Sequence, residues 1–500
     1  MKTQIQLAVI TLFVSMTCFA QPQRPSFPEP DNIFLSRDFW GSNPTPEIID
    51  AKIKAGNDPA EANGANFDGV TLAINSNAPY ESILHMISKP GNDVNKPTHD
   101  GRTYIFWAGY KGNAKLVEYL IKNGAKTDVR DDHDYTPLNF AANAGNTNLK
   151  VYDLLIANGA NLKEDVNHDG ANALLIAISK DKDFKLTEYF ESKGLSIDSK
   201  DMHGNGAFNY VARTGNIDLM NTLIKKGVKG NNQAFLFASQ GGRGTSNGLE
   251  VYNYLESVGL SPKVTNEDGQ TPLHIIAARS KDTEILNYLL EKGLNANAED
   301  NDGNTAFLSA ASRNDLSILK ALLKETKDIN HANKKGETAL LLAIRSNKPE
   351  VVEFLLDNGA DLEVTDAAGN NATYALVSGL SPRSKDDFNK KLDLLKSKGL
   401  DIAAPQKSGN TLYHLAVEKN STDLLNIAAK TKADVNAKNS DGNTALHIAA
   451  MKAKDQDILK FLLDKGAKKD AKTDFEETAY DLASENELLK KNNISIEFLK

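Results

Sequence analysis

Apolar residues in this chain fall into short stretches with helical spacing, and the stretches come in pairs. The first member of a pair is small and almost wholly apolar, as in Leu273-His274-Ile275-Ile276-Ala277-Ala278. The second is amphipathic, with Val352, Leu355 and Leu356 spaced to share one helical face. Thr283 to Lys292, Glu350 to Asn358 and Asp457 to Lys465 are second members, and they end at Gly293, Gly359 and Gly466, left-handed helix stops. Ahead of a first member lies a polar turn. In Asp268-Gly269-Gln270-Thr271-Pro272 the glycine permits a tight turn, Thr271 caps the coming helix, and Pro272 takes its first position, where a missing N–H costs nothing. The pattern predicts a fold built from helix–turn–helix pairs and nothing larger.

The pairs recur along the chain. Aligned on the turn, they register at Gly69, Gly101, Tyr135, Gly170, Gly204, Gly230, Gly269, Gly303, Gly336, Gly369, Gly409, Gly442 and Glu476, an average interval of about 34 residues. From the glycine ending one pair to the Thr opening the next is twelve residues in several copies, such as Gly293 to Thr305 and Gly466 to Thr478. That length suits a β-hairpin finger between pairs. Thr271-Pro272-Leu273-His274 with Ala277-Ala278, the close copy Asp441 to Ala450, and Leu355-Leu356-Asp357-Asn358-Gly359-Ala360-Asp361 together resemble the ankyrin repeat. The resemblance covers roughly residues 37–500. It implies an all-α ankyrin-repeat solenoid of about 12–13 helix-turn-helix units with β-hairpin fingers, capped at both ends. It also implies a protein that works by binding another protein, as a monomer. Gly206-Ala207-Phe208-Asn209 and Asn371-Ala372-Thr373-Tyr374 depart from the motif by losing the Thr cap or the His.

Irregularities divide the array. Ile48, Ile49 and Ile53 read as half a unit closing the N-terminal face, and Thr478 to Ala483 begins an altered last unit. From Gly227 to Gln233, the Thr-equivalent, is six residues instead of twelve, so one finger is missing. That break separates N-terminal repeats, 37–229, from C-terminal repeats, 230–500. Two units are long between their helices, at Gln240 to Gly248 and at Gly379 to Asn389. The glycine-rich first insertion lacks the Gly-Lys-Ser/Thr ending and preceding strand of a phosphate loop, and reads as a flexible connection. Leu149 to Leu155 recurs as Leu249 to Leu255, three periods later, which suggests duplication of a three-repeat block.

Composition narrows the partners. With a net charge of −8, pI near 5.7 and cations spread along the chain, nucleic acid is disfavoured. Lys2, the apolar run from Ile5 to Phe13 and Cys18-Phe19-Ala20 read as a signal peptide over 1–20, cleaved after Ala20. The expected location is therefore periplasmic or extracellular, as in exported ankyrin-repeat proteins of bacterial type. Prolines at 22, 25, 28 and 30 mark 21–36 as a flexible tether with order beginning near Ile33. Cys18 is the only cysteine, so no disulfide, thiolate nucleophile or Cys-ligated zinc is available to the mature chain. No later segment is long enough to span a membrane.

No catalytic motif occurs, and no cofactor is implied. His274, His414 and His447 stand at the ankyrin motif position and are expected to bond neighbouring backbone across the finger. A second histidine set, His99, His133, His168 and His203, recurs every 34 or 35 residues in the fingers, among Asp100, Asp131, Asp132, Asp134, Asp169 and Asp201. Successive units stack about 8–10 Å apart, too far for different rungs to share one metal ion. These residues instead form a candidate protein-binding edge with a titratable character. Phe106 and Trp107 are expected in the core, whereas Tyr110 should face the inner groove as a binding residue. The leading expectation is a non-enzymatic interaction scaffold. A role as accessory partner of an exported enzyme, for example in peroxide defence, and an enzyme or metal site on the finger ladder stand behind it.

Overall fold

The computed structural model describes residues 31–242 and 246–500, which divide into two compact units between Ser196 and Ile197. The segment expected to be a signal peptide, Cys18 and most of the expected tether lie outside the described residues, as do positions 243–245 of the glycine-rich insertion. The short connection at 227–233 lies within the second unit. Among the described residues the elements are α-helices and short 3-10 turns, with no named strand, so the fold is the all-α repeat stack that the pairing pattern predicts.

Order begins at Ile33, as the sequence suggests, inside the stretch 21–36 assigned to the tether. Ile33–Leu35 forms a 3-10 turn and Arg37–Gly41 a helix; Phe34 and Trp40 are fully buried, and the Trp40 indole donates to the Phe34 carbonyl at 2.8 Å. Residues 33–36 are thus part of the cap, because burying two large rings offsets the cost of ordering the short segment. In the helix Pro46–Lys54 Ile49 is buried and Ile48 exposed. Four helix pairs follow, from Gly69–Asn75 with Tyr80–Ile87 to Ala173–Ala177 with Lys185–Ser192. The second unit holds nine pairs, from Ala207–Ala212 with Ile217–Lys225 to Ala479–Glu485 with Glu487–Lys491.

Two devices recur between neighbouring pairs. Inner helices, the first of each pair, are buried almost end to end, as in Pro272–Arg279, where all residues from Pro272 to Ala277 are buried. Asparagine side chains then staple successive repeats. The Asn314 amide donates to Ala277 O and Ser280 O, both at 2.7 Å; Asn347, one repeat further along, and Asn486, in the last pair, do the same toward the repeat before each. These bonds satisfy carbonyls that a helix C-terminus leaves open. In the unit with the second insertion the staple is the buried Lys391, whose ammonium donates to Ile344 O and Asn347 O. That insertion is only partly a loop, since Lys385–Ser397 is a thirteen-residue helix.

The fingers differ from hairpins. Pairing within a finger goes no further than isolated bridges, such as Ala332↔Thr338 and Lys472↔Thr478. The reason is local chemistry: an Asn or Asp five residues before the cap closes the turn with its own side chain. Asp300 accepts from Asp302 N and Asn304 N, and Asn333 likewise from Lys335 N and Glu337 N. An Asx turn uses the amides that a ladder would need. Adjacent fingers instead join by one backbone bond each, as in Asn301 N to Asp268 O, Lys334 N to Asp302 O and Ala367 N to Lys335 O.

Where the finger is missing, side chains close the row. Asn231 reaches Gly204 O, Gln233 reaches Thr265 O, and His203 Nδ1 pairs with Glu267 at 2.7 Å. The connection runs so close to its neighbour that a Cβ at Gly230 would collide with the Phe208 ring. Asn371, which stands where the motif has Thr, caps its helix: its side chain accepts from Thr373 N and Tyr374 N. Gly206 does leave its helix without a side-chain cap.

Candidate functional site

Inner helices end where the fingers begin to overhang, and between the two the second unit has a groove of about 720 Å³. Its floor includes Ile275, Ala278, Leu308, Ser309 and Ser312, and its finger side Gln270, Asp300, Asp302, Asn304, Lys335 and Glu337. Arg213, Arg279 and Arg313 stand at the helix ends, with Gln240 and Gly241 from the start of the first insertion.

The arginines are not equivalent. Arg213 donates to Gln240 Oε1 at 2.9 Å and lies 4.8 Å over the Phe237 ring. Arg345, just beyond the groove, pairs with Glu337 at 2.5 Å. Arg279 and Arg313 close the helices Pro272–Arg279 and Ala306–Arg313, both eight residues after the capping Thr. Both are exposed, and among the described residues neither makes a hydrogen bond or ion pair. Three of the four lysines at the same repeat position are engaged: Lys111 donates to Asn75 O, Lys180 to Asn143 O and Lys419 to Ser378 O, each a carbonyl of the preceding inner helix, whereas the exposed Lys452 makes no side-chain bond among the described residues. The groove's own carboxylates are mostly occupied, Asp300 by its turn and Glu337 by Arg345. A cation at a helix C-terminus is favoured by the dipole alone. The two free guanidiniums nevertheless leave the groove with fixed, uncompensated positive charge.

The buried motif histidines behave as the sequence suggested. His274 Nδ1 accepts from Thr271 N, and Nε2 faces Ala298 O at 3.0 Å and Asn304 O at 3.1 Å. His414 and His447 repeat this toward Asn443 O and Ala471 O. Burial holds all three below the ordinary imidazole range, so they are neutral turn braces.

The finger histidines form small separate clusters. His99 stacks on Phe67 at 4.3 Å, bonds Ala65 O, and approaches Asp100 at 3.3 Å. Asp100 also faces His133 at 3.6 Å and receives Arg102 Nη1 at 2.9 Å, while Arg102 Nε donates to the buried Asp131 at 2.7 Å. Asp132 passes its amide to Asp100 O, and Asp134 is an exposed turn residue with φ 60°. His168 meets Asp169 at 3.2 Å. Asp201 is buried and accepts from His203 N, Asn205 and the Tyr210 hydroxyl. Among the described residues no group of three or more His, Cys, Asp or Glu is placed to hold a metal ion. Phe106 and Trp107 are core residues; Tyr110 stays 42% exposed, stacked on Phe140 at 5.2 Å.

Sequence reading passed over Arg279 and Arg313. Their signal was present as Ala277-Ala278-Arg279 and Ala311-Ser312-Arg313, cations 34 residues apart at the same helix end. What it lacked was the partner inventory that sets them apart from Lys111, Lys180 and Lys419.

Stacked helix pairs, braced turns and an open groove define a helical-repeat binding scaffold. The three-copy ankyrin-repeat model matches residues 70–165, 238–333, 294–366 and 384–473, more than half of the chain, and the protein belongs to the ankyrin-repeat family. Relatives include palmitoyltransferase AKR1 of Lachancea kluyveri, 31% identical over 132 residues, covering 26% of this chain and 18% of that protein. The RelA-associated inhibitor of Mus musculus is 28% identical over 117 residues, covering 23% and 14%. Putative ankyrin repeat protein FPV244 of fowlpox virus is 30% identical over 132 residues, covering 26% and 18%. The match spans less than a fifth of each of these relatives. Solved structures with a similar chain include the ankyrin repeat domain of Bcl-3 (22% identity, TM-score 0.34, 52% of this chain and 99% of that one). The human ASB11 ankyrin repeat domain is another (21%, TM-score 0.37, 45% and 97%). No helix among the described residues is long and apolar enough to cross a membrane.

Proposed function

We propose that this protein is an exported, non-enzymatic interaction scaffold that holds an extended segment of a protein partner in the groove of its second unit. The observation that carries the groove assignment is the pair Arg279 and Arg313, exposed, unpartnered and aligned along a trough of about 720 Å³. Trough and fingers belong to a rigid repeat scaffold, which lowers the ordering cost that binding entails. The finger edge of the first unit, with His99, Asp100, Asp132, His133, Asp134, His168 and Asp169, together with Tyr110, is a second contact surface. Exposure of the Tyr110 ring supports it. In the second unit His203 and Asp201 stand at the corresponding finger. Export is supported by Lys2, the apolar run Ile5 to Phe13 and the small-residue site ending at Ala20.

A photo-crosslinking residue at Ser312, on the groove floor, should capture a discrete protein in native cells, while the same residue at Lys320, on an outer helix, should not. Equal capture at both positions, or none at Ser312, overturns the groove assignment. Export is checked by fractionation and N-terminal sequencing: the mature chain should begin at Gln21 outside the cytoplasm, and an intact Met1 in the cytoplasm overturns it.

A further inference from the structure

We infer that the groove reads charge spacing: its partner segment is extended and carries two carboxylates three residues apart, one for Arg279 and one for Arg313. This rests on the protein-binding reading above and gives it a chemistry. The first step is charge. In a chain of net charge −8, a fixed cation would ordinarily find an internal anion, and Arg213 and Arg345 have both found polar partners. Among the described residues Arg279 and Arg313 have none, although Asp302 lines the same groove. Lys111, Lys180 and Lys419 at the equivalent position bond the preceding helix; these two arginines, like Lys452, stay open, and they add the planar fork that suits a carboxylate.

The second step is spacing. Adjacent inner helices pack about 8–10 Å apart. A peptide in the extended polyproline-II form advances about 3.1 Å per residue with about three residues per turn, so residues three apart lie about 9 Å apart on one face. Carboxylates at that interval match consecutive repeats; adjacent residues do not. The third step is the opposite wall. Gln270 is the uncharged side chain there whose amide donor is open to a peptide backbone among the described residues, whereas Asn304 and Asn333 are bonded to Asp300, Glu337 and each other. Asp302 and Lys335 on that side carry opposite charges, so that wall adds no net preference and the arginines set the charge that is read.

The test pans the full chain against a display library of randomised twelve-residue peptides, followed by fluorescence anisotropy of the best binder. Enriched peptides should carry Asp or Glu pairs three residues apart. R279Q/R313Q should weaken the best binder at least about tenfold, the order expected for losing two charge-assisted contacts. K320Q/K324Q, which removes the same charge from exposed residues outside the groove, should leave binding within about twofold, and thermal unfolding confirms that both variants fold. Raising salt from 50 to 200 mM should weaken binding. Enrichment of peptides without a spaced acidic pair, or affinity indifferent to R279Q/R313Q, overturns the inference. So does displacement of the peptide by tripolyphosphate at lower concentration than by an unlabelled acidic peptide, which would make the groove a phosphate site. If uncharged peptides enrich while Ser312 still crosslinks a protein, the acidic reading fails and the scaffold reading stands; if neither occurs, both fail.

Discussion

The finger edge of the first unit and the groove of the second put arginine to opposite uses. Arg102 is buried, bonded to Asp100 and Asp131 at 2.9 and 2.7 Å, and its guanidinium lies 4.3 Å over the Phe140 ring. All that it can offer is spent inside the fold. Arg279 and Arg313 are exposed and bonded to nothing described. The difference teaches that charge in a repeat array is structural where two rungs close on it and available where the register leaves it at a helix end.

The largest expected effect breaks the first side of that comparison. Arg102→Met leaves Asp131 buried without its cation, a loss of about 3–5 kcal/mol. Chemical denaturation with hydrogen exchange should localise the weakening to the first unit, and an unchanged midpoint would contradict the structural role. Asn314→Ala, beside the groove, should cost about 1–3 kcal/mol by stranding Ala277 O and Ser280 O, with faster exchange in helices Pro272–Arg279 and Ala306–Arg313.

Acid should separate the two units. His274, His414 and His447 have pKa values lowered by burial, so the unfolded chain binds their protons first. Their contribution is complete above about pH 6.5, the unfolded value, and is lost as pH falls below it toward the lowered folded values. Hydrogen exchange at pH 5.5 against pH 7.5, corrected for intrinsic rates, should show the second unit weakening more, and His274→Asn should remove part of that loss. The smallest effect is R279Q/R313Q, within about 0.5 kcal/mol of the parent in unfolding, because exposed groups without partners hold nothing together. A loss as large as that of Arg102→Met would erase the comparison.

Much of this architecture was legible beforehand. Thr271 and Pro272 announced a helix start, Gly293 a stop, and the 34-residue interval announced repetition, because each depends on neighbours a few residues away. His274, His414 and His447 were read as braces for the same reason. Local pattern was less reliable where a finger was expected to be a hairpin: the Asx side chains of Asp300 and Asn333 compete for the turn amides, a contest that spacing alone does not reveal. Residues 33–36 looked like tether because prolines precede them, yet Phe34 and Trp40 found a core to enter.

By itself, then, sequence determined the period, the helical pairs, the capped turns and the family, since all are set by interactions within one repeat length. Tertiary structure alone decided which of several similar cations stays free. Lys111 and Lys419 reach back to a carbonyl one repeat away, while Arg279 and Arg313, at the same position, do not. The reason is physical: a side chain's availability depends on what the neighbouring repeat presents across the stack, and that neighbour lies some 34 residues distant along the chain.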